Sequence, residues 1–169
     1  RPMQLMLDPE YPQTSELVLA VVSDYGYLLE FAMIHTPAIE LAAVKDYGKA
    51  LQWCNNFSQE LCDAAVDRDA RAIKYVPDIY QTEALCLKAV KSDGMLLRYC
   101  KRQPETVVNA ALQETPDSLI YVKQQTPDMV KLLLAQTTDT NSVMADVHYS
   151  MLACQPRPQK VFTQSQLTD

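Results

Sequence analysis

Seven side chains in this sequence are of the kinds that most readily do nucleophilic or acid–base chemistry: Cys54, Cys62, Cys86, Cys100, Cys154, His35 and His148. The cysteines form an odd set with no C-x-x-C pair, which suits neither a closed disulfide framework nor a zinc knuckle, so reduced thiols in a reducing compartment are expected. The two histidines stand far apart and neither belongs to a metal-binding H-E-x-x-H pattern. Only His148, beside Asp146 and Tyr149 and near Cys154, offers a cysteine–histidine arrangement, and crowding along one helix accounts for it equally well. No catalytic residue, metal ligand or cofactor site is therefore expected.

Two other groupings could serve binding. Lys88, Lys91, Arg98, Lys101 and Arg102 crowd one short stretch against Glu83 and Asp93, a pattern that attracts phosphate or an acidic partner, although a solvated face has the same composition. Tyr25, Tyr27 and Tyr47 surround Gly26 and Gly48, and exposed tyrosines make good anchors in protein interfaces. Met33 and Ile34 stand where later stretches carry Asn55 and Asn56 or Lys101 and Arg102, so an apolar surface is expected there, covered by a partner or by the N-terminal segment.

Bulk properties narrow these choices. With 169 residues, 48% of them hydrophobic and 21% charged, the chain has the make-up of one globular domain. A formal net charge of −6 opposes binding that depends on neutralising phosphates, which makes nucleic acid a poor candidate. The longest apolar run, Leu17 to Val22, is much shorter than the roughly 20 residues of a membrane-spanning helix. The opening at Arg1, with no basic region leading into a long apolar stretch, reads as a fragment rather than a secretory signal.

The elements that must position these residues come from a repeat. When Val22, Val44, Val66, Val90 and Leu112 are aligned, Phe31, Trp53, Tyr75, Tyr99 and Tyr121 follow at one constant offset. This gives units 14–35, 36–57, 58–79, 82–103 and 104–125, with Tyr80 and Gln81 absorbing a longer step and a half unit beginning at Thr126. Thr14, Thr36, Ser58, Thr82 and Thr126 are expected N-caps, while Pro104 cannot cap through a side chain. The apolar spacing after each cap predicts a first helix, followed by a glycine turn and a second helix. Gly26, Gly48 and Gly94 share one position, where a left-handed residue is expected to end the first helix, and Ala70 and Pro116 replace them in the other units.

Helices this short do not persist alone, so the units are expected to stack as an all-α solenoid with the aromatic ladder as core rungs. Cys54 and Cys100 share a repeat position with Ala32, Val76 and Val122, and Cys62 and Cys86 share another with Val18 and Val108. A cysteine that alternates with valine reads as a small buried hydrophobe. Residues 1–13 are expected to be extended, 142–154 to form a capping helix, and 155–169 to be a flexible tail.

The stretches TPAIELAAVKDYGKALQW, 36–53, and TEALCLKAVKSDGMLLRY, 82–99, resemble a bacterial family of short helical repeats of unknown function. The resemblance covers about 14–136. It implies a helical repeat fold, a bacterial source and a protein acting in the cytoplasm or delivered into a host cell, and it brings no catalytic motif. The function expected is a protein-interaction scaffold using Tyr25, Tyr27, Tyr47, Met33 and Ile34. Phosphate or nucleic-acid binding through unit four, or service as an accessory domain of an enzyme, are the alternatives.

Overall fold

The computed structural model describes residues 2–8, 10, 12–126 and 129. Among them are the α-helices α1 (Pro2–Leu7), α2 (Ser15–Asp24), α3 (Pro37–Asp46), α4 (Gln59–Arg68), α5 (Glu83–Ser92) and α6 (Glu105–Glu114). Between them run the 3-10 helices η1 (Gly26–Phe31), η2 (Gly48–Trp53), η3 (Ala70–Tyr75), η4 (Asp78–Tyr80), η5 (Gly94–Tyr99) and η6 (Pro116–Tyr121). No described residue lies in a strand. Residues 1–123 form one compact unit and 124–169 a second. The expected capping helix and tail, with Asp146, His148, Tyr149 and Cys154, lie outside the described residues.

The caps form as the residue types predict. The side-chain oxygens of Thr14, Thr36, Ser58 and Thr82 accept from the backbone N–H of Leu17, Ile39, Leu61 and Leu85 at 3.1–3.3 Å, and Thr126 accepts from Met129 at 3.4 Å. Pro104 makes no such bond. From α2 to α6 every α-helix has ten residues, and five of the 3-10 helices have six. Six exceeds the usual 3-10 run of about three or four, so these turns depend on what they pack against. A six-residue apolar stripe fits α and 3-10 periods alike, which is why the sequence predicts the second helix but not its tighter winding.

The turn between the two helices differs from expectation. A single residue of strongly negative φ makes it: Tyr25, Tyr47, Asp69, Asp93 or Thr115, with φ between −131° and −158°, and all of these but Tyr25, whose ψ is 65°, are extended. No described residue, glycine included, has positive φ. The glycines answer a different demand. A Cβ on Gly26 would stand 2.2 Å from the carbonyl oxygen of Ala43 in α3, one on Gly48 would stand 2.5 Å from that of Ala65 in α4, and one on Gly94 would stand 2.4 Å from that of Ala111 in α6. Each glycine lets a 3-10 helix touch the α-helix of the following unit.

Consecutive units pack α2 on α3, α3 on α4 and α5 on α6, while η1, η2, η3, η5 and η6 lie side by side in that order. The core runs between the two layers through Val22, Leu28, Val44, Leu51, Val66, Ile73 and Val90, all at most 2% exposed. Phe31, Trp53, Tyr75 and Tyr99 are half-buried and lean on this core from its rim, so the aromatic ladder edges the core and does not form its rungs. The N-terminal segment also departs from the extended path expected: Pro2–Leu7 is helical, because Met6 is only 4% exposed and joins the same core. That burial brings the short helix against η1.

The regular stacking is interrupted once. The extra turn η4 separates units three and four, and α4 meets α5 less closely than the other neighbouring α-helices meet. Ala70 stands in this unit, where a Cβ is tolerated. Gly48→Ala is expected to lower the urea midpoint by the equivalent of roughly 1–3 kcal/mol, the usual cost of overpacking. Ala70→Gly should cost no more than about 1 kcal/mol, from added chain freedom. Equal, small effects from both would refute the close-approach account of the glycines.

Candidate functional site

The residue just before each cap has a recurring role. Gln81 donates through Nε2 to the carbonyls of Val76 and Tyr99 at 3.1 and 3.2 Å, and its Oε1 accepts from the N–H of Lys101 at 2.9 Å. Gln103 makes the same three bonds to Leu97, Tyr121 and Lys123, and Gln13 makes them to Met6, Phe31 and Met33. One amide at the start of a unit thus ties down the backbone at its end. Gln81 thus stands at the start of unit four as Gln13 and Gln103 stand at the starts of units one and five, and the inserted turn is η4.

Units two and three solve the same problem differently. His35 occupies the latch position, with Nε2 3.1 Å from the carbonyl of Ala32 and Nδ1 3.2 Å from Glu40. The carboxylate of Glu40, wholly buried, accepts from the N–H groups of Asn55 and Asn56 at 2.8 and 2.9 Å and from Asn56 Nδ2 at 3.2 Å. A buried carboxylate is tolerable only with this many donors. In unit three the latch position is Phe57, and the residue twenty places on is Pro77, which has no N–H to satisfy. Glutamine recurring just before the cap is the sequence signal for the latch. Its partners, some twenty residues away, leave no such mark.

Of the residues expected to bind a partner, Tyr25, Tyr27 and Tyr47 are 40%, 48% and 36% exposed. Tyr25 and Tyr27 meet edge-to-face at 6.4 Å, Tyr47 stacks on Trp53 at 6.4 Å, and Tyr47 Cβ lies against Gly26 between them. The three form one tyrosine edge around the first turn. Met33, 84% exposed, and Ile34, half-buried on the core, follow the other end of η1. A 3-10 helix of that length extends roughly 12 Å, so the structure does not gather all five residues into one patch.

The five basic residues of unit four also divide. Lys88 on α5 pairs with Asp67, and Lys91 is exposed on the last turn of the same helix. Lys101 pairs with Asp78 at 3.8 Å, and the Arg98 guanidinium lies over the Tyr99 ring at 4.6 Å and the Tyr121 ring at 6.0 Å. Arg102 is exposed beside Lys101. Where α4 and α5 separate, a cleft of about 510 Å³ opens between Asp46, Gly48, Asp67, Arg68 and Lys88. Its charges are already engaged: Arg68 donates to the Asp46 carbonyl at 2.7 Å, and Asp67 holds Lys88.

Cys54, Cys62, Cys86 and Cys100 are buried and unbridged, as their alternation with valine predicts. Burial, with Asp63 adding to it, pushes the Cys62 thiol up to about 11. Burial, then Glu40 and Cys62, raises Cys54 further, and contact with Cys86 followed by burial raises Cys100. Such thiols are poor nucleophiles. Among the described residues no group of three His, Cys, Asp or Glu could hold a metal ion, and no helix is long and apolar enough to cross a membrane.

A thiol whose pKa is raised on folding contributes stability below its unfolded value, and that contribution is lost as pH rises through the folded value. The urea midpoint should accordingly fall between about pH 9 and 11, and Cys62→Val, which installs the residue present as Val18 and Val108, should make the fall shallower. Parallel curves for the variant and the parent would contradict this. No family model, curated protein or solved structure matches the chain.

Proposed function

We propose that the units form a solenoid whose function is to hold a protein partner, with the edge made by Tyr25, Tyr27 and Tyr47 as the contact site. The observation that carries this reading is the exposure of three tyrosine side chains around one turn, on backbone that the glycine contacts keep in place. Rigid aromatic anchors of this kind give binding energy at little entropic cost. Corresponding turns in later units present Asp69, Asp93 and Thr115, so the tyrosines belong to the edge and not to the packing scheme. Phosphate or nucleic-acid binding through all of unit four is the weaker reading, because Lys88 and Lys91 lie on α5 and Lys101 and Arg102 on the loop after η5, so the basic residues are divided between elements. A bacterial source and a host partner are implied only by the resemblance, and the scaffold reading does not require them.

Tyr25→Ser, Tyr27→Ser and Tyr47→Ser combined should abolish capture of a partner in pull-down, while the far-ultraviolet circular dichroism and the urea midpoint stay near the parent's. Trp53 keeps the core rim in place in that variant. A partner retained at parental affinity would move the site away from this edge.

A further inference from the structure

We propose that the 3-10 edge of units three to five is a second docking strip, one that takes an acidic protein segment studded with apolar side chains. The residues that define it come from three neighbouring 3-10 helices and the loops that follow them. Lys74 in η3, Arg98 in η5 and Ile120 in η6 occupy one repeat position, and these helices lie side by side. Lys101 and Lys123 form a second row at another shared position, with Arg102 next to the first of them. All five cations are exposed. The chain as a whole carries −6, so this concentration of positive charge is a local feature.

The strip is held in place by its own contacts. Arg98 rests on the Tyr99 and Tyr121 rings, Lys74 lies 5.3 Å from the Tyr75 ring, and Lys123 Nζ donates to the Lys101 carbonyl at 2.6 Å. The backbone N–H groups of Lys101 and Lys123 are fixed by Gln81 and Gln103. Asp78 is the acid paired with the strip, and its ion pair with Lys101 is long and well exposed, so a partner carboxylate can replace it. Of the acids on the first turns of α5 and α6, Glu83 is taken by the Thr106 hydroxyl at 2.5 Å, while Glu105 is exposed, as is Asp117 on the first turn of η6.

Two observations favour a polypeptide over a nucleic acid. The ring faces that would stack on bases are occupied by Arg98 and Lys74. Large aliphatic side chains stand among the cations: Ile79 is 82% exposed beside Asp78, and Ile120 is 45% exposed in line with Arg98. Exposed aliphatic groups gain nothing from a phosphodiester backbone, whereas they match the apolar side chains of an acidic amphipathic segment.

The test measures fluorescence anisotropy of a labelled twelve-residue peptide alternating Asp or Glu with Leu or Phe, added to the full chain at low salt. Binding is expected, weakening as salt is raised, and falling roughly tenfold or more with Lys101→Glu plus Arg102→Glu or with Arg98→Glu plus Lys123→Glu. Ile79→Ser plus Ile120→Ser should weaken it several-fold, and a Glu–Gly peptide of equal charge should bind less tightly. The Tyr25, Tyr27 and Tyr47 variant should bind the peptide as the parent does, which separates failure of this strip from failure of the tyrosine edge. Absence of binding, affinity unmoved by charge reversal in variants with parental circular dichroism, or tighter binding of an oligo-dT of equal length would overturn the proposal.

Discussion

The structure depends on how closely one unit's 3-10 helix can approach the next unit's α-helix. Gly26, Gly48 and Gly94 set that distance by leaving no atom where the carbonyls of Ala43, Ala65 and Ala111 stand. Ten-residue α-helices and six-residue 3-10 helices have too few hydrogen bonds of their own to survive in water. Contact with the neighbouring unit makes them stable, and the small side chains at the point of contact, Ala43, Ala65, Ala89 and Ala111, are wholly buried. Closeness of this kind goes with one turn, a single residue of strongly negative φ before each glycine.

Close packing of the layers leaves the loops to find partners for their backbone groups, and the latches supply them. An amide side chain can donate and accept together, so a single glutamine satisfies two carbonyls and one N–H. The exchange of Gln for the His35 and Glu40 pair keeps the accepting half of that arrangement, now as a buried carboxylate with three donors from Asn55 and Asn56 and the His35 ring beside it. Phe57 with Pro77 removes both the acceptor and the need for it. With core, turn and loop positions thus assigned to holding the units together, the surface positions are free to differ: tyrosines at the first turns, cations and isoleucines along the 3-10 edge of the later units.

Much of this is legible in the residues. The caps, the helix starts and the buried thiols follow from local chemistry, since a Thr before Pro or Glu caps a helix and a Cys that alternates with Val fills a core position of similar size. Winding is not legible, because a stripe of six residues satisfies two helical periods. The role of the glycines is hidden for a different reason: a Gly after a helix serves either a left-handed residue or a near contact, and only the position of the next unit tells which. Linear crowding of Lys88, Lys91, Arg98, Lys101 and Arg102 suggests one site, yet an α-helix and the 3-10 helix and loop that follow it carry them in different places. The tyrosines can be placed on a turn from the sequence; their separation from Met33 and Ile34 requires the length of η1.

The inserted turn η4 stands where two neighbouring α-helices part. Tight neighbours transmit disturbance from brick to brick, and an array coupled evenly throughout melts as a single body. Between α4 and α5 that coupling thins, and η3, packed on α5 and η5, carries the core across. The tyrosine edge lies wholly in the units before this place, whereas the basic strip runs from η3 across it into η5 and η6, so any loosening there would reach the strip and leave the tyrosine edge as it is.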